Sequence, residues 1–312
     1  AWGSALALLA EMRAAKVRPD VVSCSAAISA CEKGWQWARA SCLLLSMRRA
    51  DTVPQLNAYN AAMSALEKAS CWALVAALLQ HMCLWRASPD TITYNAAISA
   101  CGKGKQWARA LALLRAMAHS GAVPDVISYN ASISGFGEDG RWELAAVLLQ
   151  EMPLRSLARD TVTVNAAIKA CERGWQWARA LALLGSMSGE GQLPDLISYN
   201  AMISACEKGR RWEQAVELMG AMRRRAVEAN IVSYNAVISA CEKGKQWEPA
   251  LQLLWETQRE RVVPDEITYN AAIGACEKCQ QWREALALLG TMQQLRLSPD
   301  KFSFGAAISA CE

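Results

Sequence analysis

A fixed 35-residue period runs through the whole chain without an insertion, and it constrains the fold more than any other feature. Eight complete repeats span residues 21–55, 56–90, 91–125, 126–160, 161–195, 196–230, 231–265 and 266–300. Residues 1–20 match the back half of a preceding repeat, and residues 301–312 open a ninth. A strict period of this length is typical of a linear array of small units. We therefore expect a single solenoid over residues 1–312, and we expect this chain to be a fragment of a longer array.

Each repeat has the pattern of two short amphipathic helices. In residues 91–125, apolar residues recur at i, i+3, i+4 and i+7, first from Tyr94 and again from Trp107. Gly104 is expected to end the first helix in a left-handed cap, and Pro124 closes the second segment. Neither helix is long enough to be stable alone, so each must bury its apolar stripe against a neighbour. The predicted fold class is all-α, a right-handed solenoid of stacked helix–turn–helix repeats.

Tryptophan occupies the seventeenth position of every repeat, where the second helix begins. These residues are Trp37, Trp72, Trp107, Trp142, Trp177, Trp212, Trp247 and Trp282. The position lies on the apolar stripe, where a large ring gains most from burial. We expect these indoles to pack between hairpins; the alternative is that they stack on nucleic-acid bases.

Cysteine recurs at the eleventh position. The seven periodic residues are Cys31, Cys101, Cys171, Cys206, Cys241, Cys276 and Cys311. Equivalent residues of stacked helices should lie roughly 8–10 Å apart, beyond the limit of about 7 Å between the Cα atoms of a disulfide. We therefore expect reduced core residues, which suits an intracellular compartment.

Residues with catalytic or metal-binding chemistry are sparse. His81 and His119 are the only histidines and fall at unrelated phases, so no nucleophile–base arrangement can be argued from them. Cys276 and Cys279 form one C-x-x-C motif, which is weak as a zinc site without a second pair. No apolar run is long enough to span a membrane. We expect no enzyme activity, cofactor, metal, membrane contact or small-molecule substrate.

Charge permits a nucleic-acid partner but does not require one, because the net charge is only +4. The basic cluster of Arg223, Arg224 and Arg225 ends a second helix, so we expect it to be a solvated face rather than a nucleic-acid contact.

Two polar residues recur at fixed positions in most repeats, one at the fifth position and one at the last. The fifth residues include Asn60, Asn95, Asn130, Asn165, Asn200, Asn235 and Asn270. The last residues include Asp20, Asp90, Asp125, Asp160, Asp195, Asp265 and Asp300. Aspartate before a helix is a good N-cap, but Ser or Thr three residues later could cap instead, which would leave Asp available for another role. Asparagine is a mediocre helix former in a first turn, so its recurrence favours recognition.

A 35-residue hairpin that ends in Pro-Asp and opens in Val/Ile-Ser/Thr-Tyr-Asn resembles the pentatricopeptide repeat family, in its plain array type. The motif reads Ile92-Thr93-Tyr94-Asn95, Ile127-Ser128-Tyr129-Asn130, Ile197-Ser198-Tyr199-Asn200 and Ile267-Thr268-Tyr269-Asn270. The competing tetratricopeptide repeat has a period of about 34 residues and a different Trp pattern. The resemblance implies sequence-specific binding of single-stranded RNA, one base per repeat, in a mitochondrion or plastid.

The resemblance also implies a role for four positions. The fifth and last residues choose the base, and these pairs are Ser25 and Gln55, Asn60 and Asp90, Asn95 and Asp125, Asn130 and Asp160, Asn165 and Asp195, Asn200 and Asn230, Asn235 and Asp265, and Asn270 and Asp300. The second residue wedges between bases, and these are Val22, Ile92, Ile127, Val162, Ile197, Val232 and Ile267. The thirteenth faces phosphates, and these are Lys33, Lys68, Lys103, Arg173, Lys208, Lys243 and Lys278.

By the family's code, Asn with Asp implies uracil, whereas the Asn200–Asn230 pair implies cytosine or uracil. The predicted target is the U-rich tract N-U-U-U-U-Y-U-U, with the base opposite Ser25 and Gln55 left open. Three further residues depart from the pattern: Asn57 replaces the apolar wedge, Glu138 replaces the basic residue, and Gly305 has no side chain to read with.

The chemistry of the Asn–Asp pair fits a pyrimidine. A carboxamide has a donor and an acceptor that match one edge of uracil, but it can flip to match cytosine. Our hypothesis is that the Asp carboxylate accepts a hydrogen bond from the Asn NH2 group and so biases the choice. The leading prediction is an RNA-binding adaptor in RNA processing, stability or translation. The alternatives are a protein-binding helical scaffold with protein partners, and an enzyme whose catalytic domain lies outside this chain.

Overall fold

The computed structural model describes residues 2–49, 52–84, 87–189 and 191–311, and within these ranges every regular element is an α-helix. The helices are α1 (Trp2–Ala14), α2 (Val21–Lys33), α3 (Trp37–Arg49), α4 (Leu56–Lys68), α5 (Trp72–Leu84), α6 (Thr91–Lys103), α7 (Trp107–Ser120), α8 (Val126–Glu138), α9 (Trp142–Leu154), α10 (Thr161–Arg173), α11 (Trp177–Gly189), α12 (Leu196–Lys208), α13 (Trp212–Arg224), α14 (Ile231–Lys243), α15 (Trp247–Arg259), α16 (Glu266–Lys278), α17 (Trp282–Gln294) and α18 (Lys301–Ser309). Even-numbered helices are the first helices of their repeats, and odd-numbered helices are the second.

The helices form two compact parts. The N-terminal part comprises Ala1–Asp139 and Glu143–Arg159, and the C-terminal part comprises Gly140–Trp142 and Asp160–Glu312. Within each part, a first helix packs on its own second helix and on the first helix of the next repeat, as α6 does on α7 and α8, and α14 on α15 and α16. The expected all-α solenoid of helical hairpins is confirmed. The extent of the single domain stays a prediction.

The first helix does not end as the sequence analysis expected. Gly104 has φ −82°, so the left-handed glycine cap is wrong. The left-handed residue is the next one, Lys105, with φ +54°. Trp35, Trp175 and Arg210 have the same conformation at the equivalent position. The turn therefore places a non-glycine residue in the left-handed region, which costs about 1–2 kcal/mol per residue.

Glycine is needed at position 104 for packing instead. A Cβ atom built on Gly104 would lie 2.3 Å from Cδ1 of Trp72, the tryptophan of the preceding repeat. On this indole lies the Arg109 guanidinium, 4.2 Å from the ring centroid, at a distance typical of a cation–π contact. The same arrangement of Trp, Gly and Arg recurs at Trp2, Gly34 and Arg39, at Trp142, Gly174 and Arg179, and at Trp177, Gly209 and Arg211. For these tryptophans, the predicted packing between hairpins is confirmed.

The periodic cysteines line the core. Cys31, Cys101, Cys171, Cys206, Cys241 and Cys276 are buried free thiols, as predicted, whereas Cys311 in the partial ninth repeat is exposed. Burial raises the pKa of the Cys206, Cys241 and Cys276 thiols to about 12. These three thiols are therefore protonated and unreactive at neutral pH. Cys279 of the C-x-x-C motif instead donates from Sγ to the carbonyl of Lys245 at 3.3 Å.

The remaining residues that the sequence analysis set aside have local roles. His81 is buried, with Nδ1 2.9 Å from the Tyr59 hydroxyl, and His119 lies exposed on α7. The Arg223–Arg225 cluster is exposed, as predicted, and Arg223 forms an ion pair with Glu256. No helix in the described part of the chain is both long and apolar enough to cross a membrane.

Candidate nucleic-acid interface

The last residue of most repeats caps the first helix of the next. Asp125 Oδ1 accepts the backbone N–H of Ser128 at 2.9 Å, and Ser128 Oγ accepts the backbone N–H of Asp125 at 3.2 Å. This reciprocal pattern is a capping box. It recurs at Asp160 with Thr163, Asp195 with Ser198, Asn230 with Ser233, Asp265 with Thr268, and Asp300 with Ser303. The expectation that the hydroxyl residue could relieve Asp of capping is therefore wrong, because both residues take part in one cap.

The fifth-position asparagine joins this cap from the preceding helix. Asn95 Nδ2 donates to Asp125 Oδ1 at 3.2 Å, and Asn95 Oδ1 accepts from the Ser128 hydroxyl at 2.5 Å. We call this set the polar triad: the fifth residue, the last residue of the same repeat, and the hydroxyl of the third residue in the next. Further triads are Asn60, Asp90 and Thr93; Asn165, Asp195 and Ser198; Asn200, Asn230 and Ser233; Asn235, Asp265 and Thr268; and Asn270, Asp300 and Ser303.

The carboxylate decides which way the amide faces. A carboxylate only accepts hydrogen bonds, so the NH2 group of Asn95 must face Asp125 and its oxygen must face Ser128. An amide has two N–H groups and two oxygen lone pairs, and the triad uses one of each. Asn95 is only half-buried, so the unused N–H and lone pair can meet a ligand. The direct contact between Asn and Asp that the sequence analysis hypothesised is present in five of the six described triads.

The carboxylates of the triads are held in their charged form. Burial raises the pKa of Asp125, but the hydrogen bonds from the Ser128 backbone, the Ser128 hydroxyl and Asn95 outweigh it and leave the pKa below its usual range. Asp90, Asp195 and Asp265 have the same balance of causes and the same direction. At neutral pH each of these residues is therefore a permanent acceptor.

Ser25 and Gln55, the predicted base-reading pair of repeat 21–55, lie outside a triad. Ser25 donates to the Val21 carbonyl of its own helix at 2.7 Å. Gln55 makes no side-chain cap, and the third residue of the next repeat is Ala58. Repeat 21–55 therefore has no polar triad. Asn130 lies on α8, and Asp160 accepts the N–H of Thr163 at the start of α10 at 2.7 Å.

An exposed apolar residue stands at the second position of most first helices. The predicted wedge residues Val22, Ile92, Ile127, Val162, Ile197, Val232 and Ile267 are between 56% and 69% exposed. Single exposed apolar side chains are ordinary, but a row fixed to the repeat phase is not. Phe302 extends the row into the ninth repeat at 51% exposure. The sequence analysis missed it, although its register, 35 residues beyond Ile267, could have revealed it.

Five of the predicted phosphate-facing lysines have acidic partners. Lys103 Nζ lies 3.1 Å from Glu67 Oε1 on the preceding first helix, and the Ser99 hydroxyl donates to the same oxygen at 2.7 Å. The equivalent ion pairs are Lys68 with Glu32, Lys208 with Glu172, Lys243 with Glu207, and Lys278 with Glu242. The sequence analysis missed this twelfth-position glutamate, whose recurrence in the sequence was the available signal. Because the lysine side chains stay partly exposed, each pair is weak, worth about 0–1 kcal/mol.

The replacement of the basic thirteenth residue by Glu138 is accompanied by a second replacement on the preceding first helix. At this junction Gly102 stands where most repeats have the glutamate, and Glu138 stands where most have the lysine. The α6 and α8 backbones approach closely here, since a Cβ atom on Gly135 would lie 2.7 Å from Gly102 Cα. Both partners of the usual ion pair are therefore replaced together.

Comparison with known proteins agrees with this geometry. The profile of the PPR repeat family matches residues 89–131, 124–173, 194–243, 229–278 and 264–312, so this chain belongs to the PPR repeat family. Comparison with curated proteins gave no match.

Two solved structures illustrate the fold. The pentatricopeptide repeat protein PPR10 from maize is 24% identical with a TM-score of 0.71, over 99% of this chain and 44% of that one. The nuclear proteinaceous RNase P 2 (PRORP2) from A. thaliana is 13% identical with a TM-score of 0.52, over 62% of this chain and 46% of that one. This chain thus spans less than half the length of either protein.

Proposed function

We propose that this chain binds single-stranded RNA with one base facing each repeat, and that it prefers uracil at most positions. The observation that carries the proposal is the polar triad, which presents an oriented carboxamide at a constant phase. Membership of the PPR repeat family supports the same class of ligand.

The oriented amide explains a preference for uracil over cytosine. Uracil presents an acceptor at O4 beside a donor at N3, whereas cytosine presents a donor at N4 beside an acceptor at N3. If a base is held in one pose, an amide with Nδ2 toward position 4 and Oδ1 toward position 3 matches uracil only. Asn200 faces Asn230 at 3.4 Å instead of a carboxylate. Because this acceptor is neutral, we expect the Asn200 amide to be oriented less firmly. Repeat 196–230 should therefore discriminate less between uracil and cytosine.

The exposed apolar side chains at the second position of the repeats hold each base in one orientation. Packed helices usually lie about 8–10 Å apart, which leaves room for one flat base between the apolar side chains of successive repeats. Stacking of a base on a protein side chain is tolerant of sequence. In this scheme the wedges supply affinity without choosing the base, and the triads supply the choice.

The lysines contribute electrostatics in competition with their glutamates. A phosphate that approaches Lys103 replaces or shares the contact with Glu67. We therefore expect RNA binding to weaken with salt, as counterion release requires, but less steeply than five freely available lysines would give.

The proposed target reads N-U-U-U-U-Y-U-U along repeats 21–55 to 266–300. Binding acts by occupancy, in the processing, stability or translation of a transcript, and the proposal assigns no catalytic residue. The proposal of a mitochondrial or plastid location rests on the family resemblance alone.

The test is fluorescence anisotropy of labelled U8, C8, A8 and G8 RNAs, with the unaltered chain and with Asn95→Ala. We expect U8 to bind most tightly and Asn95→Ala to weaken that binding. Gln150→Ala removes an exposed carboxamide from the second helix α9 and is the matched control, which should leave binding unchanged. Equal binding of all four RNAs would contradict base reading, and binding of none would favour the protein scaffold.

A further inference from the structure

We propose that the hydroxyl of the third residue in each repeat is a positioning residue for the asparagine of the preceding repeat, and so a third determinant of pyrimidine choice. The inference rests on the proposed function, because it concerns how that function discriminates uracil from cytosine.

The contact between hydroxyl and amide is short in every described triad. The distances to the Asn Oδ1 atom are 2.5 Å from Thr93, Ser128 and Ser303, and 2.6 Å from Ser198, Ser233 and Thr268. All six hydroxyl residues have 0% exposure. Water therefore cannot easily replace a hydroxyl that is removed, and the amide oxygen would lose a partner on that side.

The single hydroxyl proton lies between two acceptors, and the asparagine oxygen is the nearer of the two. Ser128 Oγ accepts the backbone N–H of Asp125, which uses one of its lone pairs. Its proton can reach Asn95 Oδ1 at 2.5 Å or Asp125 Oδ1 at 2.8 Å. The carboxylate oxygen already accepts from the Ser128 backbone and from Asn95 Nδ2. The amide oxygen is the shorter contact, so the amide is held from both ends: its nitrogen by the carboxylate and its oxygen by the hydroxyl.

The chain itself supplies a natural comparison. Each repeat with Asn at its fifth position is followed by Ser or Thr at the third position of the next repeat. Repeat 21–55, which has Ser25 at the fifth position, is followed by Ala58. The hydroxyl is thus present where there is an amide to hold, and absent at the one junction of complete repeats without one.

Removal of the hydroxyl should loosen the amide rather than remove it. With Ser128→Ala, the nitrogen end of Asn95 stays on Asp125, but the oxygen end is free to rotate. We expect the preference for uracil over cytosine opposite repeat 91–125 to fall about five-fold, the effect of one typical hydrogen bond. Ser128→Thr keeps the hydroxyl and should keep the preference, since Thr93 and Thr268 hold the same place in other triads.

The experiment compares three RNAs: U8, U8 with cytosine at the third base, and U8 with cytosine at the seventh. The third base faces repeat 91–125, and the seventh faces repeat 231–265, whose triad stays intact. Anisotropy titrations give the affinity for each RNA. The factor by which a cytosine at one position weakens binding relative to U8 is the cytosine penalty at that position. Ser128→Ala should lower the third-base penalty about five-fold and leave the seventh-base penalty unchanged, and Ser128→Thr should change neither.

Two controls separate positioning from folding. Ser23→Ala removes a hydroxyl at the same helix position beside the capping Asp20, but Ser23 belongs to neither triad that faces the tested bases, so both penalties should stay unchanged. Ser198→Ala should move the effect to cytosine at the fifth base, and it provides an independent variant if Ser128→Ala does not fold.

A third-base penalty that survives Ser128→Ala, or a fall of both penalties together, would overturn this inference while the proposed function stands. No preference for uracil in the unaltered protein would overturn the proposed function and this inference with it.

Discussion

At the residue scale, the asparagine amide divides its hydrogen-bonding capacity between the fold and a ligand. One N–H and one lone pair of Asn95 are used within the triad, and one of each remains. The carboxylate of Asp125 and the hydroxyl of Ser128 prevent the amide from flipping. An amide that could flip would match uracil and cytosine equally well. The charge of Asp125 matters because hydrogen bonds to ionised groups are about twice as strong as those between neutral groups.

This argument predicts the effect of exchanging the acceptor. Asp195→Asn keeps an oxygen in the triad but removes its charge, so it reproduces the arrangement of Asn200 with Asn230. We expect the preference for uracil over cytosine at the fifth base to fall about two- to five-fold, since a charged hydrogen bond becomes a neutral one. Anisotropy with U8 and with U8 carrying cytosine at the fifth base measures it.

The reverse exchange is the control. Asn230→Asp should raise the same preference at the sixth base, where the natural acceptor is neutral. An unchanged preference in both variants would show that the charge of the last residue has no part in reading the base.

At the element scale, contacts between repeats depend on the small residue that ends most first helices. Gly104→Ala would place Cβ 2.3 Å from Cδ1 of Trp72, which also contacts Arg109. We expect a loss of about 1–3 kcal/mol in the free energy of unfolding, the usual cost of overpacking. Denaturant unfolding followed by circular dichroism measures it.

Gly185→Ala is the matched control, because a Cβ atom on Gly185 in α11 would meet nothing within 4 Å. It should stabilise the helix by about 0.5–1 kcal/mol through the lower entropy of the unfolded chain. If Gly104→Ala were also stabilising, the indole would have to move freely, and the tryptophan would not determine the spacing of the hairpins.

The ion pairs between first helices give another prediction at this scale. Glu67→Gln removes the acidic partner of Lys103 and leaves the cation to phosphate. We expect U8 to bind about two- to three-fold more tightly at low salt, with a salt slope steeper by up to about one unit. Anisotropy titrations over a range of salt concentrations measure both quantities.

Glu151→Gln is the control for that prediction. Glu151 on the second helix α9 pairs with Arg155, which follows the end of that helix, so its neutralisation removes the same charge from a different face. Equal gains in the two variants would mean that only the net charge of the protein matters.

At the scale of the whole molecule, the modest net charge of +4 is consistent with an interface that depends on many small, repeated contacts. Stability in such an array comes from nearest-neighbour contacts, and each repeat should add one base to the ligand. The affinity for oligouridine should therefore rise steeply with length up to eight nucleotides, the number of complete repeats. For oligouridines longer than eight nucleotides, the affinity should rise only in proportion to the number of positions along the RNA at which the protein can bind.

A series of U4, U6, U8, U12 and U16 in one buffer tests this prediction. Oligo-C of the same lengths is the control for binding through the phosphate backbone alone. A steady rise with length well beyond eight nucleotides, the same for both polymers, would indicate a charged surface without repeat-by-repeat reading.

Much of this protein could be predicted from the sequence because it rests on local patterns. The 35-residue period, the two apolar stripes of each repeat and the Asp before most first helices are visible in the sequence alone. These patterns predict the helical hairpins, the buried cysteines and the family. The fifth and last positions also stand out in the sequence, because nothing within a single helix requires Asn there.

Only the tertiary structure decided which side chains meet across repeats. Asn95 and Ser128 are 33 residues apart, and Lys103 and Glu67 are 36 apart, so their contacts depend on the rise and rotation between neighbouring first helices. The sequence likewise predicted a left-handed cap at Gly104, whereas in the structure the glycine makes room for the indole of Trp72 in the preceding repeat. The sequence by itself determined the repeat and its helices, because stripes and caps act within one hairpin. The stacking of hairpins determined the orientation of the amide and the partner of each lysine, because those depend on distances between hairpins.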